Sequence, residues 1–305
     1  MGRLIAASIL LSLPLAAQVR ISQPAAGRVA VEINGQPFTT LYCGPETNKP
    51  YLHPLRAASG KVVTRFYPME NVPGEPHDHP HHRGLWFSHG DVNGFDFWAN
   101  ESRGGKFGRI ELVKVNRVRG GKESGVIEAT FAWRDPSGKE LLTERRRMTF
   151  YAQPDIRMVD FDIRLTAHDE VSFGDTKEGT FAIRLAPGLT HMVDSESRTG
   201  EREIWGKRAN WVDYDGVVGG EPLGVAIFDH PSNPRHPTWW HARGYGLFAA
   251  NVFGLHDFVH DDTKNGSLNL APGANLRFRY RVLIHTGNAG NANLAQRYQS
   301  YAESR

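Results

Sequence analysis

A single cysteine, Cys43, in a chain of 305 residues excludes an intrachain disulfide and any cluster of thiolate ligands. Long apolar runs are equally scarce. Leu4 to Leu15 forms the longest, and no later segment approaches the roughly 20 apolar residues needed to cross a bilayer. Charge of one sign is not in excess either. The formal net charge is +3, with no zinc-finger spacing or aromatic-and-basic RNA motif, so no nucleic-acid partner is expected. H-E-x-x-H is absent, and H-x-H-x-D-H is not met because His81 stands where its aspartate would be.

Turn formers are plentiful instead: 32 Gly and 18 Pro suit short strands better than long helices. Residues 1–18 read as a secretory leader, with Arg3, the apolar run and Ala16-Ala17 before a cut. No cysteine near that cut argues for a lipid anchor, so an exported protein, periplasmic or secreted, is expected. Beyond it, Val29 to Ile33 and Phe38 to Tyr42 flank Asn34-Gly35 as a hairpin, with Pro37 marking an edge or a late start. Short strands are also expected at Val62 to Tyr67 and Leu85 to Ser88, the latter turning at Asn93-Gly94 into Phe95 to Trp98. Period-two alternation marks Val126 to Arg134, Arg157 to Thr166 and Phe181 to Leu185; the turns Asp135 to Gly138 and Gln153 to Asp155 bound a strand at Leu141 to Tyr151, and Leu223 to Phe228 reads as a more buried strand. In the last strand Leu276, Phe278, Tyr280, Val282 and Ile284 share one face, while Arg277, Arg279 and Arg281 share the other, a solvated or anion-facing side. Leu294, Tyr298 and Tyr301 then fit a short C-terminal helix. One all-β domain over 19–305, a large antiparallel sandwich, accommodates this pattern.

Chemistry concentrates at His77 to Trp98, HDHPHHRGLWFSHGDVNGFDFW, which holds five of the 14 histidines. Clustered histidine suits a metal, an anion or a proton transfer. In an extended segment His77, His79 and His81 would project together and could ligate Zn or Cu. Without a metal, His81 and His82 are candidate proton donors or acceptors. Arg83 could grip substrate oxygens through paired hydrogen bonds, and Trp86 and Trp98 could stack on a sugar ring or simply pack in the core.

Three later segments add partners. Asp175 to Gly179 offers Glu178 as a carboxylate at a strand mouth. Trp205 to Tyr214 mixes the cations Lys207 and Arg208 with Asp213. Phe228 to Tyr245, FDHPSNPRHPTWWHARGY, carries Asp229, His230, Arg235, His236, Trp239, Trp240, His241 and Arg243 on a loop stiffened by three prolines.

HPHHRGLWFSHGDVNGFDFW, DTKEGT, WGKRANWVDY and FDHPSNPRHPTWWHARGYGLFAAN together resemble the bacterial family labelled "methane oxygenase PmoA-like", also treated as a domain of unknown function. The resemblance covers nearly the whole chain after the leader. It implies a galactose mutarotase-like sandwich and a place in sugar utilisation, and brings no assigned catalytic residues. The true membrane subunit of that name is a multi-helix bilayer protein, so the label does not describe this chain.

The expectation is an exported carbohydrate-active enzyme, with His81 or His82 and Glu178 as acid and base. Hydrolysis, epimerisation and elimination all remain open to it. No cofactor is required. The alternatives are a non-catalytic sugar-binding protein, with Trp86, Trp98, Trp239 and Trp240 as a stacking platform, and a histidine-ligated metalloprotein. One pocket containing His81, Glu178 and His241 would favour the enzyme; wide separation would leave unrelated loops.

Overall fold

Strands whose inward positions are apolar and whose outward positions are polar can bury one face only by packing against another sheet. The computed structural model shows two such sheets. It describes residues 18–102 and 104–304, so residues 1–17 of the expected leader lie outside the described residues. In chain order the elements are β1 (Val19–Ala25), β2 (Arg28–Ile33), β3 (Gln36–Tyr42), β4 (Tyr51–His53), β5 (Leu85–His89), β6 (Arg109–Arg119), β7 (Ser124–Arg134), β8 (Glu140–Tyr151), β9 (Arg157–Ala167), β10 (Val171–Phe173), β11 (Gly179–Arg184), β12 (Leu189–Asp194), α1 (Glu201–Ile204), β13 (Trp211–Val218), β14 (Glu221–Asp229), β15 (Trp239–Arg243), β16 (Leu247–Asn251), α2 (Leu255–Val259), β17 (Leu268–Leu270), β18 (Asn275–Thr286) and α3 (Leu294–Ala302).

The front sheet runs β1-β2-β3-β4-β5-β11-β16-β15 and the back sheet β12-β13-β14-β18-β9-β8-β7-β6. A small β10-β17 pair lies beside them. Neighbouring strands are antiparallel, as in β5 with β11 and β18 with β9. Apolar residues from both inner faces form one core; Phe87 of the front sheet meets Trp133 and Phe278 of the back sheet at 6.0 and 5.3 Å. The expected large antiparallel sandwich with a short C-terminal helix is therefore the architecture observed. That helix, α3, sets Tyr298 and Tyr301 against Phe228 on the outward face of the back sheet.

The β2–β3 hairpin turns at Asn34 and Gly35, whose φ of 54° and 75° suit a tight two-residue connection. Pro37 does not make β3 an edge strand, because β3 lies between β2 and β4. It sits near the strand's start, where a register shift relieves the missing donor. Two expected strands are absent. Val62 to Tyr67 makes only single bridges, Val62 to Arg56 and Thr64 to Leu185, and so does Phe95 to Trp98, with Phe95 to Val92 and Asp96 to Phe107.

The core between the sheets holds an ion pair. Glu144 and Arg146 of β8 share the inward side with Leu142, Met148 and Phe150, breaking that strand's apolar row. Glu144 accepts hydrogen bonds from Arg146 Nε at 2.6 Å and from Trp133 Nε1 at 2.8 Å. Arg146 lies over the Phe131 ring at 5.1 Å. Removing one member of a buried pair strands the other charge. Glu144→Gln should therefore lower unfolding free energy by about 3–5 kcal/mol, read from urea denaturation. Glu144→Leu with Arg146→Met should recover most of it; no recovery would show that Trp133, not the charge, is what Glu144 serves.

Candidate active site

Alternation on the front sheet decides what faces outward. Leu85, Phe87, Phe181, Ile183, Phe248 and Ala250 point into the core, which leaves Trp86, Ser88, Thr180, Ala182, Arg184, Leu247 and Ala249 on the other side. Tyr51, Trp86, Trp98, Ala182, Leu247 and Ala249 pack together there, forming a floor. Loops close over this floor and leave a cavity of about 490 Å³ lined by His79, His81, His82, Trp98, Ala99, Lys177, Glu178, His241, Arg243 and Tyr245. His81, Glu178 and His241, from three separate segments, thus share one pocket.

The histidine loop is shaped by a buried guanidinium. Arg65 donates to the carbonyls of Tyr67, Pro76, Asp78 and His79, and also pairs with the Asp78 carboxylate. Asp78 Oδ1 accepts a second guanidinium, Arg184 Nη2, at 2.8 Å. Its other oxygen accepts His79 Nδ1–H at 2.8 Å. Burial alone would raise the Asp78 carboxyl, but the bonds from His79 and Arg184 and the charges of Arg184 and Arg65 bring it down to about 2.

The segment is not extended, contrary to the H-x-H reading. His79 has φ +43° and Pro80 follows it, so strand alternation is lost. His77 turns away and stacks on Tyr67 at 4.6 Å, while His79, His81 and His82 crowd together with centroids 4.4–5.7 Å apart. The expected common face of His77, His79 and His81 does not form. Among the described residues no three His, Cys, Asp or Glu side chains are set to hold a metal ion.

Two buried histidines are fixed in opposite tautomers. Arg184 Nη1 can only donate, so its 3.3 Å contact makes His82 Nδ1 an acceptor and places the ring proton on Nε2. The Lys177 carbonyl can only accept, so His241 Nδ1 donates to it at 3.0 Å and Nε2 carries the lone pair. Burial holds His81 down to about 3 and His241 to about 4, and puts His82 well below its usual value. All three are neutral at pH 7. Glu178 is pushed up by burial, with Lys177 opposing; their charged groups are 3.7 Å apart.

The acidic loop is held from several sides. Asp257 accepts from Lys177 N at 2.8 Å, Asn251 donates to the Thr176 carbonyl at 2.9 Å, and Gly90 N donates to the Glu178 carbonyl at 2.7 Å. Lys49, wholly buried, donates to the Trp98 carbonyl at 2.9 Å and pairs with Glu101, which faces Arg83 at 3.6 Å. Arg83 therefore sits beside Tyr51 and Glu101 and does not line the cavity. The indoles of Trp86 and Trp98 are 1% and 0% exposed, so they form the floor and offer no open stacking platform. Their N–H groups, His82 Nε2, Ser88 Oγ and Thr180 Oγ1 are buried without hydrogen-bond partners.

Most of the remaining expected residues belong elsewhere. Asp213 is buried against His285 at 3.0 Å on the back sheet. Asp229 accepts from His236 and Asn233 at 2.7 Å each, and His230 contacts Arg279 and the Ser304 carbonyl. Arg235 donates to the carbonyls of Val252 and Ser267, and Arg208 to those of Pro237, Arg235 and His236. Trp240 is core, its indole donating to the Ala209 carbonyl at 2.9 Å. Lys207 contributes backbone bonds to Ile204 and Trp240 and does not line the cavity. The expected rim of His230, Arg235 and His236 is thus a self-bracing loop; only its end, His241 and Arg243, reaches the pocket. Tyr245 and Arg184 were not anticipated. Tyr245 stacks on His79 at 5.3 Å and over Arg184 at 4.5 Å, and the signal for Arg184 was a lone cation inside an apolar strand.

A family model described as "Family of unknown function (DUF6807)" matches residues 28–299. No curated protein sequence matches the chain. Among solved structures it is similar to an alpha-galactosidase from Lactobacillus brevis, at 9% identity and TM-score 0.45, over 90% of this chain and 40% of that one. It is also similar to galactose mutarotase-like proteins from Clostridium acetobutylicum (10% identity, TM-score 0.39, 89% of this chain and 99% of that one) and Lactobacillus casei (9%, 0.38, 88% and 100%). The chain spans about 40% of the length of the galactosidase. No helix among the described residues is long and apolar enough to cross a membrane.

The buried neutral histidines carry a pH signature. A group held below its free value binds fewer protons folded than unfolded, so its stabilisation falls as pH drops below the free value and stops falling at the folded one. For His241 that window runs from 6.5 to about 4. The stability gap between wild type and His241→Gln should narrow by about 1.4 kcal/mol per pH unit across it, measured by urea denaturation. A gap that stays constant would mean that folding does not hold the His241 ring below its free value.

Proposed function

The chain belongs to the DUF6807 family of unknown function, matched over residues 28–299, and from its pocket we propose that it is an exported enzyme performing acid–base chemistry on a carbohydrate. The observation that carries this reading is the convergence of Glu178, His81 and His241 in one cavity. A volume of about 490 Å³ falls in the range of small-molecule sites, and one or two sugar rings fit that scale. Glu178, its carboxyl raised by burial, is the candidate proton donor or acceptor. The lone pair on His241 Nε2 serves as acceptor, and neutral His81, with His82 behind it, completes the proton-handling set. Lys177 and Arg243 supply donors for substrate oxygens. Buried polar atoms without partners each cost about 1–3 kcal/mol, and their concentration at the floor supports a site that keeps strain for a polar ligand.

The sugar-binding alternative had Trp86, Trp98, Trp239 and Trp240 as a platform; Trp86, Trp98 and Trp240 are buried, and Trp239 is half-buried with Arg208 over its ring at 4.8 Å, which speaks against it. A metal would have to be assembled from His79, His81 and a residue outside the loop, since His77 faces Tyr67.

The test is product formation. Neutral and acidic oligosaccharides incubated with the protein and followed by NMR report cleavage, epimerisation and elimination alike. Wild type should convert at least one class, and Glu178→Gln and His81→Ala should each lower turnover by about 10²–10⁴ with thermal midpoints little changed. Binding without conversion across the panel would favour a binding protein; parallel loss of folding and activity would reduce these residues to structural ones.

A further inference from the structure

The outward face of the back sheet carries a row of cations that the pocket does not use. Cross-strand pairing sets Lys114 opposite Thr130, Thr130 opposite Arg145, Arg145 opposite Arg164, and Arg164 opposite Arg277. Directly opposed residues share a face, so these five side chains line up across β6, β7, β8, β9 and β18. With strands about 4.8 Å apart the row is about 19 Å long.

Like charges set directly opposite are unfavourable. The sheet relieves that repulsion nearly everywhere else. Arg147 pairs with Glu128 at 2.8 Å, Arg281 with Asp160 at 2.6 Å, and Arg277 with Asp162 at 2.6 Å. Among the described residues, Lys114, Arg145 and Arg164 make no ion pair, and all three are exposed. A surface depression of about 460 Å³ lies over the middle of the row, lined by Thr130, Arg145 and Arg164 together with Asn116 and the carboxylates of Glu128 and Asp162, which Arg147 and Arg277 pair. Asn116 donates to Thr130 Oγ1 at 2.7 Å, which leaves the Thr130 hydroxyl proton for another acceptor.

We propose that this row is a second binding site, for the carboxylate or sulfate groups of an acidic polysaccharide lying across the strands. The spacing supplies a cation, or a hydroxyl, at each strand, which matches a polymer bearing an anion at regular intervals. The row carries no aromatic ring on which nucleic-acid bases could stack and no apolar anchor of the kind that dominates protein interfaces. Charge and hydroxyl contacts are what it offers, and an anionic glycan asks for both.

Titration of the full chain with polygalacturonate, dextran sulfate and neutral dextran, followed by calorimetry, tests this. Wild type should bind one or both acidic polymers and not dextran. Arg145→Gln with Arg164→Gln should weaken that binding at least tenfold, and the corresponding double lysine variant should keep most of it. Removing mutual repulsion should leave the glutamine variant's thermal midpoint at or above that of wild type, which separates lost binding from lost folding. No binding of either acidic polymer, or unchanged binding by the glutamine variant, overturns the proposal. So does a lowered midpoint, or equally tight binding of polyadenylate with the same dependence on Arg145 and Arg164.

Discussion

Two buried guanidinium groups converge on one carboxylate, and the pocket depends on that knot. Arg65 and Arg184 are each 1% exposed, and both reach Asp78 Oδ1. Two cations so close would repel strongly in a medium of low dielectric. Asp78 and the backbone carbonyls around Arg65 offset this and, in doing so, dictate the path of residues 76–82. Each consequence is local and specific. Asp78 orients His79, Arg184 fixes the tautomer of His82, and Tyr245 is held between His79 and the Arg184 guanidinium. The histidines are therefore arranged by arginines, and a pocket wall exists because a loop with little regular structure has been given enough hydrogen-bond partners to hold one shape.

The same economy of charge sets the chemistry. Burial lowers the histidines and nearby cations add to its effect, so the rings stay neutral. Glu178 is pushed the other way by burial, and its nearest cation, Lys177, is too loosely placed to cancel this. Neutral imidazoles thus stand in the same cavity as a carboxyl raised by burial. This arrangement arises here from desolvation on a covered sheet face, with no metal ligand set among the described residues.

How much of this was legible in the sequence followed from how local each determinant is. Period-two alternation found β7, β9, β11 and β18 because inward and outward faces are a property of each strand alone. The His77–Trp98 stretch was found because its composition is abnormal for core, and Glu178 and His241 because acids and histidines at strand mouths are visible as residue types. The geometry of His77, His79 and His81 was not legible. It depends on a positive φ at His79 and on Arg65, which looks in sequence like one more surface cation. Likewise Asp229, His230, Arg235 and His236 look functional as a string, yet their partners are protein groups: their own loop for Asp229 and His236, Arg279 and the Ser304 carbonyl for His230, and the carbonyls of Val252 and Ser267 for Arg235. Residue type announces that a polar group needs a partner; it does not say whether that partner is protein or ligand.

The two outward faces answer that question differently. On the front sheet Lys49, Arg65 and Arg184 are buried and paired, the first with Glu101 and the other two with Asp78. Their role is to hold loops over a floor, and the pairing consumes their charge. On the back sheet Arg145 and Arg164 are exposed, and among the described residues they make no ion pair. An open sheet face cannot orient a small substrate, because it supplies contacts from one side only, but it can hold a long one along its length. The sandwich therefore spends its charge differently on its two faces: to fix loops on the front sheet, and as a row of side chains left to solvent on the back sheet.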